Sequence, residues 1–140
     1  MRTSTGAPIT ISQSNSRELQ RPDYIGGDPY LHPSTVDGLY LNKAAFAAVP
    51  LGKTGGQTIR PGNVGKASLR APGYWTLDLS LNKSFSLAEM RSLKLRFDMF
   101  NALNHVNLGS PGTDIKSSLF GRITTAGAAR SMQVNLRFAF

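Results

Sequence analysis

The chain has 140 residues, no cysteine, 40% apolar and 17% charged residues, and a net charge of +8 from 16 basic and 8 acidic side chains. That length suits one ordinary domain, and the lack of cysteine excludes a disulfide scaffold, a thiolate zinc site and a thiol nucleophile. No apolar run reaches the roughly 18 residues of a spanning helix, His32 and His105 lack the spacing of a metal pair, and residues 1–10 have no signal-peptide core.

The basic residues run from Arg2 to Arg137 without a block of five or six. Such dispersal fits a solvated basic surface better than a nucleic-acid footprint.

Seven of the eight prolines precede Gly73, and ten of the fourteen glycines lie at or before it. Residues 1–73 therefore form a loop-rich segment with at most one short strand, a weak candidate at 8–12. Within it Gly52-Lys53-Thr54 resembles the end of a phosphate-binding loop. The upstream glycine that such a loop requires is Ala47, however, and glycines follow where a helix should begin.

From Tyr74 to Leu108 neither glycine nor proline occurs. Trp75, Leu77, Leu79 and Leu81 alternate with Thr76, Asp78, Ser80 and Asn82, which predicts a strand over about 74–85. A short connection at 86–90 implies an antiparallel hairpin. The next strand, about 91–101, sets Leu93, Leu95, Phe97 and Met99 against Lys94, Arg96 and Asp98. A loop over 102–130 follows, long for a compact soluble domain. The last strand, about 131–140, carries Met132, Val134, Leu136, Phe138 and Phe140 on one parity.

Short turns at one end, long loops at the other and strands near ten residues match a transmembrane β-barrel. A soluble sandwich needs a second sheet over the apolar face, and residues 13–73 offer almost no strand to build one. Each large side chain left in water forgoes roughly 1.5–3 kcal/mol, so the cover must come from outside the chain. The expected lipid-facing residues are Leu77, Leu79, Leu81, Leu93, Leu95, Phe97, Val134, Leu136 and Phe138. Aromatics at the strand ends (Tyr74, Trp75, Phe85, Phe97, Phe100) fit interfacial girdles. On the opposite face Asp78, Lys94, Arg96, Asp98 and Arg137 are expected to form a lumen-side charge network. With a turn near Leu87 and Ala88, Asp78 falls opposite or diagonal to Arg96.

The ending, with Phe138 and Phe140 on one parity, is similar to the C-terminal assembly signal of bacterial outer-membrane proteins. More specifically, the run Asn63-Val64-Gly65-Lys66-Ala67-Ser68-Leu69-Arg70-Ala71-Pro72-Gly73-Tyr74-Trp75-Thr76-Leu77-Asp78-Leu79-Ser80-Leu81 resembles the closing section of Oar-like TonB-dependent outer-membrane transporters. Asp98-Met99-Phe100-Asn101-Ala102-Leu103-Asn104-His105, Phe120-Gly121-Arg122-Ile123-Thr124 and the final strand match in the family's order. Upstream, Arg21-Pro22-Asp23 and Asn42-Lys43-Ala44-Ala45-Phe46-Ala47 resemble its preceding loop.

The resemblance implies an all-β chain of three to four antiparallel strands from the C-terminal end of a large barrel, with long extracellular loops and incomplete on its own. Such barrels have 22 strands around a plugged lumen. It further implies the bacterial outer membrane as location, with the turn at 86–90 periplasmic and the loops at 13–73 and 101–130 extracellular. The implied partners are membrane lipid, the remaining barrel and plug, and the barrel-assembly machinery through the last strand. TonB would be reached only through N-terminal parts absent here. Signal peptide, TonB box and plug are not seen, so the expectation is a C-terminal piece from a truncated gene or an incomplete gene model.

The competing reading is a small soluble basic β-protein that binds nucleic acid or other anions through Lys94, Arg96 and Arg137. Its aromatics are not interleaved with those cations as a stacking platform requires, so nucleic acid is not expected as a partner. No catalytic, cofactor or metal-ligating residue is singled out, and an enzyme is not expected.

Overall fold

The computed structural model describes residues 1–14, 19–31, 38–52, 58–88 and 91–140. His32, Lys53, Thr54 and the last two residues of the expected connection at 86–90, Glu89 and Met90, lie outside the described residues. The strands, in chain order, are β1 (Arg2–Ser4), β2 (Pro8–Ile9), β3 (Gln13–Ser14), β4 (Leu19–Gln20), β5 (Asp23–Tyr24), β6 (Phe46–Ala47), β7 (Leu69–Arg70), β8 (Tyr74–Thr76), β9 (Leu79–Ala88), β10 (Arg91–Phe100) and β11 (Ser131–Ala139). A single 3-10 turn, Lys43–Ala45, is the only helical element among the described residues.

Two compact units divide the chain. The first comprises Met1–Thr5, Gly73–Asn107 and Gly127–Phe140. Its centre is an open antiparallel sheet in the order β11-β10-β9, and β1 pairs antiparallel with β8. The three long strands form where alternation is uninterrupted and glycine and proline are absent. Among the described residues they do not close a barrel, and β9 and β11 gain no further partner.

Two details differ from the sequence expectation. The first strand is broken at Leu77 and Asp78. There the Leu77 carbonyl accepts from the Ala102 amide (2.7 Å) and the Asp78 carboxylate from the Asn101 amide (3.0 Å), so both residues hold the turn after β10 instead of a ladder. Second, β9 runs on to Ala88, which pairs with Arg91, and a bulge next to Ser92 leaves Leu87 unmatched. The pairing thus extends past the turn position expected near Leu87 and Ala88, and Arg96 faces Asn82, four residues along from Asp78.

The second unit comprises Gly6–Pro72 and Leu108–Ala126. The segment expected to hold at most one short strand contributes several two-residue ladders: β2 with β7, β3 with β4 and β5 with β6. Much of the expected 102–130 loop belongs here too, through bridges Ser12 to Asp114, Leu39 to Arg122 and Gly112 to Phe120. Ile11, Leu41, Ala45, Phe46, Val64, Leu69, Ile115 and Phe120 form its core. The Phe46 and Phe120 rings meet edge to face at 5.9 Å.

Buried polar groups in this unit are paired, as burial requires. Gln13, fully buried, donates to the Val49 carbonyl (2.9 Å) and accepts from the Val49 amide (2.8 Å), imitating a ladder. Gly121 has φ +73, and a Cβ there would stand 2.5 Å from the Leu41 carbonyl oxygen. Only glycine permits that approach, which accounts for the glycine in the Phe120-Gly121-Arg122 motif.

Candidate functional site

Side chains alternate across a strand, so the register assigns each residue of the sheet to a face. One face has the rows Leu79-Met99-Met132, Leu81-Phe97-Val134, Lys83-Leu95-Leu136 and Phe85-Leu93-Phe138. Leu81 is 69% exposed, Val134 64% and Leu136 68%, so no described residue of its own unit covers this face. Of the residues expected there, all but Leu77 lie in the rows; Leu77 sits in the break between β8 and β9. Lys83 is the one cation among the rows and lies well inside β9, since the strand extends five residues beyond it. Its ammonium stands 5.9 Å from the Phe85 ring centroid, a stem-along-apolar-surface arrangement that keeps the charge tolerable. Phe138 and Phe140 stack at 6.0 Å, Phe140 lying just past the end of β11.

The other face has the rows Ser80-Asp98-Gln133, Asn82-Arg96-Asn135, Ser84-Lys94-Arg137 and Ser86-Ser92-Ala139. Asp98 is buried and receives Ser80 Oγ (2.6 Å) and Arg96 Nε (2.7 Å to Oδ2). This charge-assisted cluster joins two strands. Of the charge network expected on this face, only Arg96 and Asp98 are joined, and Asp78, Lys94 and Arg137 stand outside it. In the observed register Arg96 faces Asn82, and Asp78 lies outside the ladder, accepting the Asn101 amide. Lys94 and Arg137 are direct cross-strand partners and have no ion pair among the described residues. Around them the face is concave, enclosing about 460 Å³ lined by Asn82, Ser84, Lys94, Arg96, Asn135 and Arg137.

At the far end of β10 three asparagines hold the chain. Asn101 and Asn104 adopt φ of 50° and 52°, the left-handed conformation that asparagine tolerates. Asn101 Nδ2 donates to the carbonyls of His105 and Ala128, and its Oδ1 accepts the His105 amide. Asn107 exchanges two bonds with the backbone of Trp75 (2.8 and 2.9 Å). His105 stacks on Trp75 at 4.3 Å. Sequence reasoning assigned no role to these asparagines; their three-residue spacing after a strand was the available signal.

In the second unit, an ion pair anchors Arg21-Pro22-Asp23. Arg60 Nη1 lies 2.9 Å from Asp23 Oδ1, Nη2 binds Oδ2, and the Asn63 amide donates to Oδ1 at 3.1 Å. The hydrogen bond from Arg60 holds the Asp23 carboxyl below the usual carboxylate range. Burial works against ionisation of Asp114, but bonds from Ser14 and the Lys116 amide outweigh it and keep that carboxyl low as well.

An antiparallel sheet with a largely exposed apolar face, a polar concave face and strands of nine and ten residues has the features of a membrane β-barrel wall. Residues 1–133 match the family described as Outer membrane beta barrel domain, and the chain belongs to that family. No curated protein and no solved structure matches it. The protein is thus a barrel segment of the outer membrane, and the soluble basic alternative is not favoured.

Proposed function

We infer that the chain serves in a TonB-dependent outer-membrane transporter of the Oar-like kind, where it contributes lipid-facing wall and extracellular loops for ligand uptake. The observation that carries this reading is the ordered run of resemblances, from Arg21-Pro22-Asp23 through Asn63 to Leu81, then Asp98 to His105 and Phe120 to Thr124. Several of these residues hold turns and clamps: Asp23 with Arg60, Asn101 with His105, Gly121 against Leu41. On this reading the hairpin end of the sheet faces the periplasm. Lipid covers the rows containing Leu81 and Leu136, and the barrel-assembly machinery recognises Phe138 and Phe140. TonB acts through a plug outside these 140 residues.

The genomic sequence ahead of Met1 is the test. An in-frame continuation into further alternating strands, a plug and a TonB box is the expected result. A continuation into further strands that begins with a signal peptide, with neither plug nor TonB box, would leave a barrel but overturn TonB-dependent uptake.

A further inference from the structure

The polar face of the β9-β10-β11 sheet carries more positive charge than its own residues neutralise. Asp98 is the sole acidic side chain in its rows, and Ser80 and Arg96 already occupy it. Lys94 and Arg137 face each other directly across the ladder, with Ser84 on the far side of Lys94. Like charges directly opposite destabilise a sheet, so this row is held at a cost unless an anion lies between them. The backbones that carry the two cations stand one strand spacing apart, about 4.8 Å, and Arg96 springs from a position two residues further along, about 6.6 Å away along the strand. All three line the same concavity, with Asn82, Ser84 and Asn135 as neutral hydrogen-bonding groups.

We propose that this concavity is a binding subsite for a small multivalent oxyanion, a pyrophosphate-like or di- or tricarboxylate solute. Arg137 presents a planar fork suited to two oxygens of one oxyanion, Lys94 a point charge, and Asn82, Ser84 and Asn135 fix orientation. Arg96, steadied by Asp98, adds charge at the edge of the group. The three side chains spring from neighbouring positions on one face and line one concavity, which suits one small solute. The inference rests on the polar face lining a lumen and not on TonB coupling.

The test uses the full chain refolded in detergent micelles, with titration calorimetry and thermal unfolding against pyrophosphate, citrate and a hexaglutamate peptide. Binding is read without transport, so this subsite and the transport reading fail separately. Saturating pyrophosphate or citrate should raise the unfolding midpoint by about 5 °C, and 0.5 M sodium chloride should weaken binding. K94Q and R137Q should each lose tenfold or more in affinity. Without ligand, both should unfold at the wild-type temperature or above, because the like-charge contact is gone; that separates lost binding from lost folding. K66Q, in the other unit, should bind as wild type does. No midpoint shift with either small anion, an equal loss in K66Q, or unfolding of unliganded K94Q and R137Q below wild type would overturn the proposal. Tenfold tighter binding of hexaglutamate than of both small anions would also overturn it, assigning the face to an acidic polypeptide segment.

Discussion

Asn101 concentrates several functions in one side chain. It is buried, sits at φ 50°, and makes three side-chain hydrogen bonds, to His105 twice and to Ala128. Replacement by alanine removes those bonds and leaves a Cβ in a left-handed conformation, at a combined cost of about 2–4 kcal/mol. Glycine also loses the bonds but not the backbone preference, so N101G should be less destabilised than N101A by about 1 kcal/mol. Urea unfolding of the micelle-refolded variants measures both. The Asp23–Arg60 pair makes a second prediction at this scale. Asp23 titrates lower in the folded chain than in the unfolded one, so its stabilisation is complete above the ordinary aspartate range, near pH 4, and disappears as pH falls through the lower folded value. R60Q removes the partner. Proteolysis of the loop-rich unit should therefore begin at a higher pH on acidification in R60Q than in wild type.

At the scale of the element, the two faces of β11 make opposite predictions. Val134 belongs to the uncovered apolar rows and Gln133 lies opposite Asp98. If lipid covers Val134, V134K should cost about 2–4 kcal/mol of folding into a bilayer, the range for a lysine near the midplane. Q133K should be tolerated, since it sets a cation opposite a carboxylate. Folded yield in lipid vesicles, read by heat-modifiable gel mobility, compares the two. Alternation made this facial division legible in the sequence, because a period of two is a local property that needs no partner. Register was not legible. It depends on where the chain reverses, and the pairing of Ala88 with Arg91, only partly offset by the bulge at Leu87, sets Asn82 and not Asp78 opposite Arg96.

For the whole molecule, the sheet unit has one uncovered face and two strands whose outer edges have no partner among the described residues. Open edges and a large apolar surface favour self-association in water. Transfer from micelles to detergent-free buffer should therefore cause aggregation, seen as light scattering with the β-sheet circular dichroism retained. A clear, monomeric solution under those conditions would contradict a lipid-facing role for Leu81, Val134 and Leu136. The division of the chain at residue 73, natural from the distribution of glycine and proline, is replaced by two interleaved units. Residues 108–126 join a core with Ile11, Leu41 and Phe46, a connection across about a hundred residues that no local pattern announces.

What the amino-acid order determined by itself was whatever depends on near neighbours: three long strands, their greasy and polar sides, and the need for cover beyond the chain's own residues. These follow from steric alternation and the cost of wet hydrocarbon, which act over a few residues. Tertiary structure alone decided which residues meet. It set the lysine of β10 against the arginine of β11, stacked His105 on Trp75, and packed distant loops about Phe46 and Phe120. Such pairings arise from register and chain closure, in which a displacement of two residues at a turn changes every partner beyond it.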